Sequence, residues 1–189
     1  MGTIGKDYKF KIIQNFLTKE EQKLLKEYCI IKHRIFLSDP NQGKGSLHML
    51  TTWFYGDAIM DALLVTKKEF IEKEINKKII PSYSFWRVYT EGDSLAKHKD
   101  RPSCEISLSI TIDGTGKWPL LIDGQEINLN NGDALVYLGA EVIHWREELK
   151  TDYQSQCFLH YVDVDGPYVE FALDKRQALG LDTFDKDRL

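Results

Sequence analysis

At 189 residues, with 42% hydrophobic and 29% charged side chains, the chain is long enough for one good core and short for two, which points to a single soluble domain over 1–189. No stretch has the apolar length needed to cross a bilayer, so a membrane-spanning role is excluded. A net charge of −4, with a pI near 5.8, offers no basic footprint for phosphate backbones and argues against nucleic acid as a partner.

The opening MGTIGKDYKF has no apolar run of signal-peptide length, and Lys6 stands where an N-myristoylation signal wants Ser or Thr, so a cytoplasmic location is expected. Thr18 with Glu21 makes a capping-box pattern ahead of Leu24, Leu25 and Tyr28. Further on, Ile71, Ile75 and Ile79 recur every four residues in a Lys/Glu-rich stretch, so the part up to about residue 80 is expected to be helical. Between them LSDPNQGKGSLHML reads as a turn-rich, mobile connection. From Tyr83 the period shortens: YSFWRVY, CEISLSITI, WPLLI, GDALVYLG and QSQCFLHYV are rich in Ile, Val, Tyr and Phe and are separated by Gly, Asp, Asn and Pro, as strands are. LIDGQEI reads as a tight hairpin with Asp123 and Gly124 in its turn. Helices gathered upstream of such strands predict an α+β fold: an antiparallel double sheet of jelly-roll type over about 81–168, with N-terminal helices packed on one sheet. Cys29, Cys104 and Cys157 are odd in number, far apart and without a C-x-x-C, which fits reduced thiols.

The chemistry gathers in YTEGDSLAKHKD. On an extended segment His98 and Asp100 emerge on one face, about 7 Å apart along the backbone, which is a chelating spacing. An iron(II) centre that activates oxygen needs two imidazoles and a carboxylate on one side and open positions on the other. The third ligand must come from elsewhere, and His144, on the strand after the Gly132-Asp133 turn in NNGDALVYLGAEVIHWRE, is the candidate.

Y-x-x-G-x-x-L-x-x-H-x-D from Tyr89 to Asp100, G-D-A-L-V-Y from Gly132 to Tyr137, His144, and NFLTKEEQKLLKEY as an opening helix together resemble the iron(II)- and 2-oxoglutarate-dependent dioxygenases, in their prolyl 4-hydroxylase-like branch. The resemblance covers nearly the whole chain. It implies a double-stranded β-helix, cupin-like in form, with iron(II) between His98, Asp100 and His144. It further implies 2-oxoglutarate chelating that iron, O2 as the oxidant, succinate as the coproduct, and hydroxylation of an aliphatic C–H. By the same resemblance the substrate is a prolyl residue in a peptide, or a free amino acid. Asp100 argues against the halogenating relatives, which lack this carboxylate.

Relatives place an Arg or Lys against the far carboxylate of 2-oxoglutarate where this chain has Tyr153 or Gln154, often followed by a hydroxyl residue where it has Gln156. Amides donate but carry no charge, and a desolvated carboxylate without a cation is costly, so a cation is expected from another position. Arg87 shares a strand face with Tyr89, which matches a tyrosine that contacts the cosubstrate in relatives. Arg146 follows His144 by two residues, and Lys150 lies in the loop EELKTDY. Arg87 and Arg146 are the favoured anchors, with Gln154 and Gln156 as neutral donors. An ion pair of Arg146 with Glu105, Glu147 or Glu148 is the plainer alternative, as is simple core packing for Tyr89. Arg101, next to Asp100, is a candidate for substrate contact or for support of that ligand.

His160, at the same strand parity as Phe158 and Val162, reads as a satisfied barrel histidine rather than a fourth ligand. His33 and His48 read as surface or loop residues, and Trp86, Trp118 and Trp145 as packing. Residues 39–56 and 91–97 are candidate lids. A rival reading is a non-catalytic cupin-like module that binds a metal, a small ligand or a protein; a relative acting on nucleic-acid bases is disfavoured by the acidic balance.

Overall fold

The Thr18 hydroxyl accepts from the Glu21 N–H at 3.1 Å while the Glu21 carboxylate accepts from the Thr18 N–H at 2.8 Å. This reciprocal cap starts α1 (Lys19–Ser38) in the computed structural model, which describes residues 2–39 and 52–181. Asp57 caps α2 (Ala58–Thr66) through the Ile59 N–H. The next helix, α3 (Lys68–Ile75), stops at Asn76, whose φ of 52° lies in the left-handed region. That stop corrects the helical reading of Ile79. The chain has already turned, and Ile79 begins a strand whose first N–H donates to the Glu72 carboxylate at 3.0 Å.

Among the described residues ten strands follow in chain order: β1 (Phe10–Ile13), β2 (Trp53–Tyr55), β3 (Ile79–Thr90), β4 (Leu95–His98), β5 (Ile106–Gly114), β6 (Leu120–Ile122), β7 (Gln125–Ile127), β8 (Ala134–Tyr137), β9 (His144–Arg146) and β10 (Tyr153–Asp163). They form two antiparallel sheets, one in the order β1-β8-β5-β10-β3-β2 and one in the order β4-β9-β6-β7. β1 and β2 lie in the part read as helical. Each is three or four residues long and is specified by a distant partner, Phe10 opposite Tyr137 and Tyr55 opposite Phe85, so local pattern carries little trace of them. The β6–β7 hairpin turns on Asp123 and Gly124, with φ of 47° and 87°, the pair of positive values that a two-residue turn requires.

Alternation sorts the large sheet into two faces. Leu108, Ile110, Trp86, Val88, Cys157 and Leu159 pack with Leu25, Cys29, Leu64 and Ile71 of the three helices into one buried core. Each such side chain contributes about 1.5–3 kcal/mol when fully buried. The other face meets the four-stranded sheet, where Leu120, Ile122 and Ile127 pack on Leu135 and Tyr137. Between the sheets, beside this smaller core, the same face of β3, β5 and β10 carries buried polar residues, Arg87, Ser107, Ser109, Thr111, Gln154, Gln156 and His160, among the aromatics Phe85, Tyr89 and Phe158.

All three cysteines are free and buried. Among the described residues no helix is long and apolar enough to cross a membrane. Of the two segments read as lids, 39–56 lies largely outside the described residues, with His48. The other is pinned: the Gly92 N–H donates to the Leu149 carbonyl at 2.9 Å and the Leu149 N–H to the Asp93 carbonyl at 2.7 Å.

Candidate metal centre

β4 and β9 are neighbours in the four-stranded sheet, and their register sets His98 directly opposite His144, with ring centroids 4.2 Å apart. The chain turns out of β4 so that the Asp100 N–H donates to the Gly139 carbonyl at 2.9 Å, which brings the carboxylate back over the two rings. Asp100 Oδ1 then lies 3.3 Å from His98 Nε2 and 3.4 Å from His144 Nε2. One donor atom from each of the three residues falls within 4.8 Å of the others.

The histidine protons are placed by their other nitrogens. His98 Nδ1 faces the Ala96 carbonyl at 2.8 Å and His144 Nδ1 faces the Val142 carbonyl at 3.2 Å. A carbonyl only accepts, so both Nδ1 atoms carry hydrogen and both Nε2 atoms are left facing Asp100. Two lone pairs and a carboxylate oxygen at these distances repel unless a cation sits among them. Where no metal is bound, a proton on Nε2 fills that place: burial alone would raise the Asp100 carboxyl, but the hydrogen bonds that protonated His144 and His98 donate outweigh it and hold the group far below the usual carboxylate range. The bond to Asp100 in turn raises His98, against the effect of burial.

A cavity of about 220 Å³ opens on these groups, walled by Tyr83, Phe85, Phe158 and His160 from the large sheet and by Leu95 and Leu120 from the small one. A larger hollow of about 730 Å³, with Lys68, Glu72 and Asp163 in its wall, is charged surface relief and shares no residue with the ligand set.

Tyr89 is on the cavity wall, 2% exposed, with the Arg87 guanidinium 4.1 Å from its ring centroid and Trp118 edge-on at 4.7 Å. Arg87, Arg146, Gln154 and Gln156 are not on the wall; they gather around Tyr89 and Trp118. Arg87 faces Asp93 at 3.4 Å. Arg146, 2% exposed, donates to the Trp118 carbonyl and reaches Ser109 Oγ at 3.5 Å.

Among the described residues no carboxylate pairs with Arg146. Glu105 instead accepts from the Asp163 N–H, Glu147 from Trp145, and Glu148 pairs with Lys150 on the exposed loop. Burial pulls Arg146 down to about 10. Gln156 bonds Thr111 and Ser109 at 3.0 and 3.3 Å. Gln154 Oε1, Arg87 Nε and Arg146 Nε are buried without a partner.

Arg101 turns away from the cavity. It stacks on Tyr83, with its guanidinium 4.6 Å from the ring centroid, and makes a two-pronged pair at 2.7 Å with Asp174, at a left-handed kink in the segment Val169–Lys175. His160 is buried and bonds Ser107 through Nδ1 at 2.9 Å, and burial lowers it to about 4, so the ring is neutral. Asp100, Cys104 and His160 form a second close donor group. The Cys104 thiol is shared with the Tyr83 hydroxyl at 3.0 Å and burial pushes it up to about 12, which leaves a protonated sulfur that ligates poorly. His33 bonds Thr52 at 2.6 Å, outside the centre.

Sequence reasoning passed over Ser107, Ser109 and Thr111, which line the polar face, and Tyr137, whose ring meets His144 edge-on at 5.0 Å. The available signal was the alternation in SLSIT, where small hydroxyl residues mark a buried face that carries polar work.

No family model matches the chain, and no curated protein matches it by sequence. Solved structures do match. A viral collagen prolyl hydroxylase from Paramecium bursaria Chlorella virus-1, complexed with 2-oxoglutarate, is 14% identical over 82% of this chain and 96% of that one, with a TM-score of 0.62. HygX from Streptomyces hygroscopicus, with nickel and 2-oxoglutarate bound, is 10% identical over 82% and 83%, with a TM-score of 0.62. The non-heme α-ketoglutarate-dependent epimerase SnoN from nogalamycin biosynthesis is 14% identical over 93% and 88%, with a TM-score of 0.65. At these identities the likeness establishes a shared fold.

Proposed function

We propose that this chain is an iron(II)- and 2-oxoglutarate-dependent oxygenase that hydroxylates an aliphatic C–H group. In this reading the two facing sheets are a double-stranded β-helix, and His98, Asp100 and His144 are the iron ligands. The observation that carries it is the convergence of two imidazole Nε2 atoms on one carboxylate oxygen at 3.3 and 3.4 Å, beside a cavity. Such a set is electrostatically incomplete without a cation, and two imidazoles with one carboxylate suit a divalent first-row metal that keeps positions open. Iron with 2-oxoglutarate and O2 supplies the oxidising power when bound.

The residues of the chain place and shield that chemistry. The Ala96 and Val142 carbonyls fix both imidazoles with Nε2 inward. Leu95, Leu120, Phe85 and Phe158 keep water from the cavity. Arg146 holds the far carboxylate of 2-oxoglutarate with Tyr89 at its side, a role supported by a buried guanidinium that has no anionic partner among the described residues. Arg87 is the weaker anchor because Asp93 already faces it, and Gln154 and Gln156 add neutral donors. Arg101, turned from the cavity and paired with Asp174, supports the wall by holding Tyr83 in place. The substrate class is a prolyl residue in a peptide or a free amino acid, and one of the structures sharing the fold is a collagen prolyl hydroxylase. Free buried thiols are in keeping with a cytoplasmic setting.

Anaerobic addition of Fe(II) and 2-oxoglutarate is expected to produce a weak visible charge-transfer band, and admission of air to release succinate. His98→Ala is expected to lose both. A wild-type protein that gives neither band nor succinate is a binding module, and the oxygenase reading is then wrong.

A further inference from the structure

We infer that Ser107 and His160 are positioning residues that hold Asp100 to ligation through one oxygen. This inference rests on the metal-ligand reading above. While Asp100 Oδ1 faces the two imidazoles, Oδ2 lies 3.0 Å from the Ser107 hydroxyl. Ser107 has one proton, and its hydroxyl meets Asp100 Oδ2, the Cys104 carbonyl at 3.1 Å and His160 Nδ1 at 2.9 Å, with the Tyr137 hydroxyl also beside it. An ionised carboxylate outcompetes a neutral carbonyl for that proton. With its proton given to Asp100, the Ser107 oxygen can only accept from His160, so His160 carries hydrogen on Nδ1. The reverse tautomer would set a nitrogen lone pair against an oxygen lone pair inside the protein. The relay therefore has one direction, from His160 to Ser107 to Asp100.

A second observation shows that the space around Oδ2 is closed. A Cβ at Gly139 would lie 2.3 Å from Asp100 Oδ2, 2.5 Å from the Cys104 carbonyl oxygen and 2.7 Å from Ser107 Oγ. No side chain fits there, and the backbone of Gly139 seals the relay while its carbonyl takes the Asp100 N–H. Ser107 is 0% exposed and His160 6%. A carboxylate clamped at Oδ2 cannot rotate to offer both oxygens, so it consumes one coordination position and leaves the next for a cosubstrate.

Cobalt(II) tests this as a probe for iron. The wild-type chain is expected to bind it one-to-one. Ser107→Ala should bind it about 10–100-fold more weakly, the usual cost of losing a partner behind a metal ligand, and with an altered d–d absorption. Ser107→Thr, which keeps the hydroxyl, should restore both. His160→Phe should shift the d–d band in the direction that Ser107→Ala does. Nitrogen-15 spectra of the metal-free wild type should show His160 protonated at Nδ1 and bare at Nε2, and this readout stands even where a variant fails to fold. Ser107→Ala with wild-type cobalt affinity and spectrum, or a His160 proton on Nε2, overturns the inference alone. Wild-type protein that takes up no cobalt overturns the metal centre and this inference with it.

Discussion

A guanidinium buried as deeply as that of Arg146, with hydroxyl and carbonyl partners but no carboxylate among the described residues, keeps its charge against a desolvation cost. Replacement by Leu should therefore move two measurements in opposite directions. The affinity for 2-oxoglutarate, titrated on the cobalt-loaded protein, should fall about 10–100-fold, since a hydrogen bond to a charged group is worth about 1.5–3 kcal/mol. The thermal midpoint without cosubstrate should hold or rise. A residue that served packing alone would lower the midpoint and leave the affinity unchanged. Arg87→Leu should weaken 2-oxoglutarate less, because Asp93 already answers part of its charge. The sequence narrowed the anchor to these two arginines through strand parity. It could not rank them, because the ranking depends on which acid each side chain meets, and Glu105, Glu147 and Glu148 all turn elsewhere.

At the scale of elements, the junction of α3 and β3 depends on Glu72. Burial alone would raise this carboxyl, but hydrogen bonds from Lys68 at 2.7 Å, Lys78 at 2.9 Å and the Ile79 N–H at 3.0 Å outweigh it and bring it to about 2, from an ordinary value of 4.5. A carboxyl whose folded value is depressed stabilises the fold above its unfolded value, and that contribution is lost as pH falls through the folded one. Glu72→Gln should cost about 1–3 kcal/mol at neutral pH. Its deficit against wild type should close between pH 4.5 and about 2 in denaturant titrations. A deficit independent of pH over that window would mean that Glu72 acts through shape and not through charge. The same junction marks where local pattern ran out: the four-residue recurrence of Ile71, Ile75 and Ile79 continues past a left-handed Asn76 that ends the helix. Thr18 with Glu21 and Asp123 with Gly124 were legible because cap and turn chemistry is local, whereas β1 and β2 exist through partners far along the chain.

Across the whole molecule the two sheets are supported unequally. Three helices cover the outer face of the six-stranded sheet, while the outer side of the four-stranded sheet carries Lys97 and Glu126, both exposed. His98 and His144 belong to the thinner sheet and Asp100 to the turn beside it; Ser107 and His160 reach them from the braced one. An ion held by the three ligands would therefore tie together two strands of the less covered sheet. Backbone amides of β4 and β9 should trade hydrogen for deuterium sooner than those of β5 and β10 in the empty protein, and cobalt should slow the first pair while leaving the second nearly untouched. Equal slowing everywhere would mean that the sheets open as one body. Otherwise the chain carries a flickering half and a quiet half, and metal occupancy can be read as a change of tempo in the first.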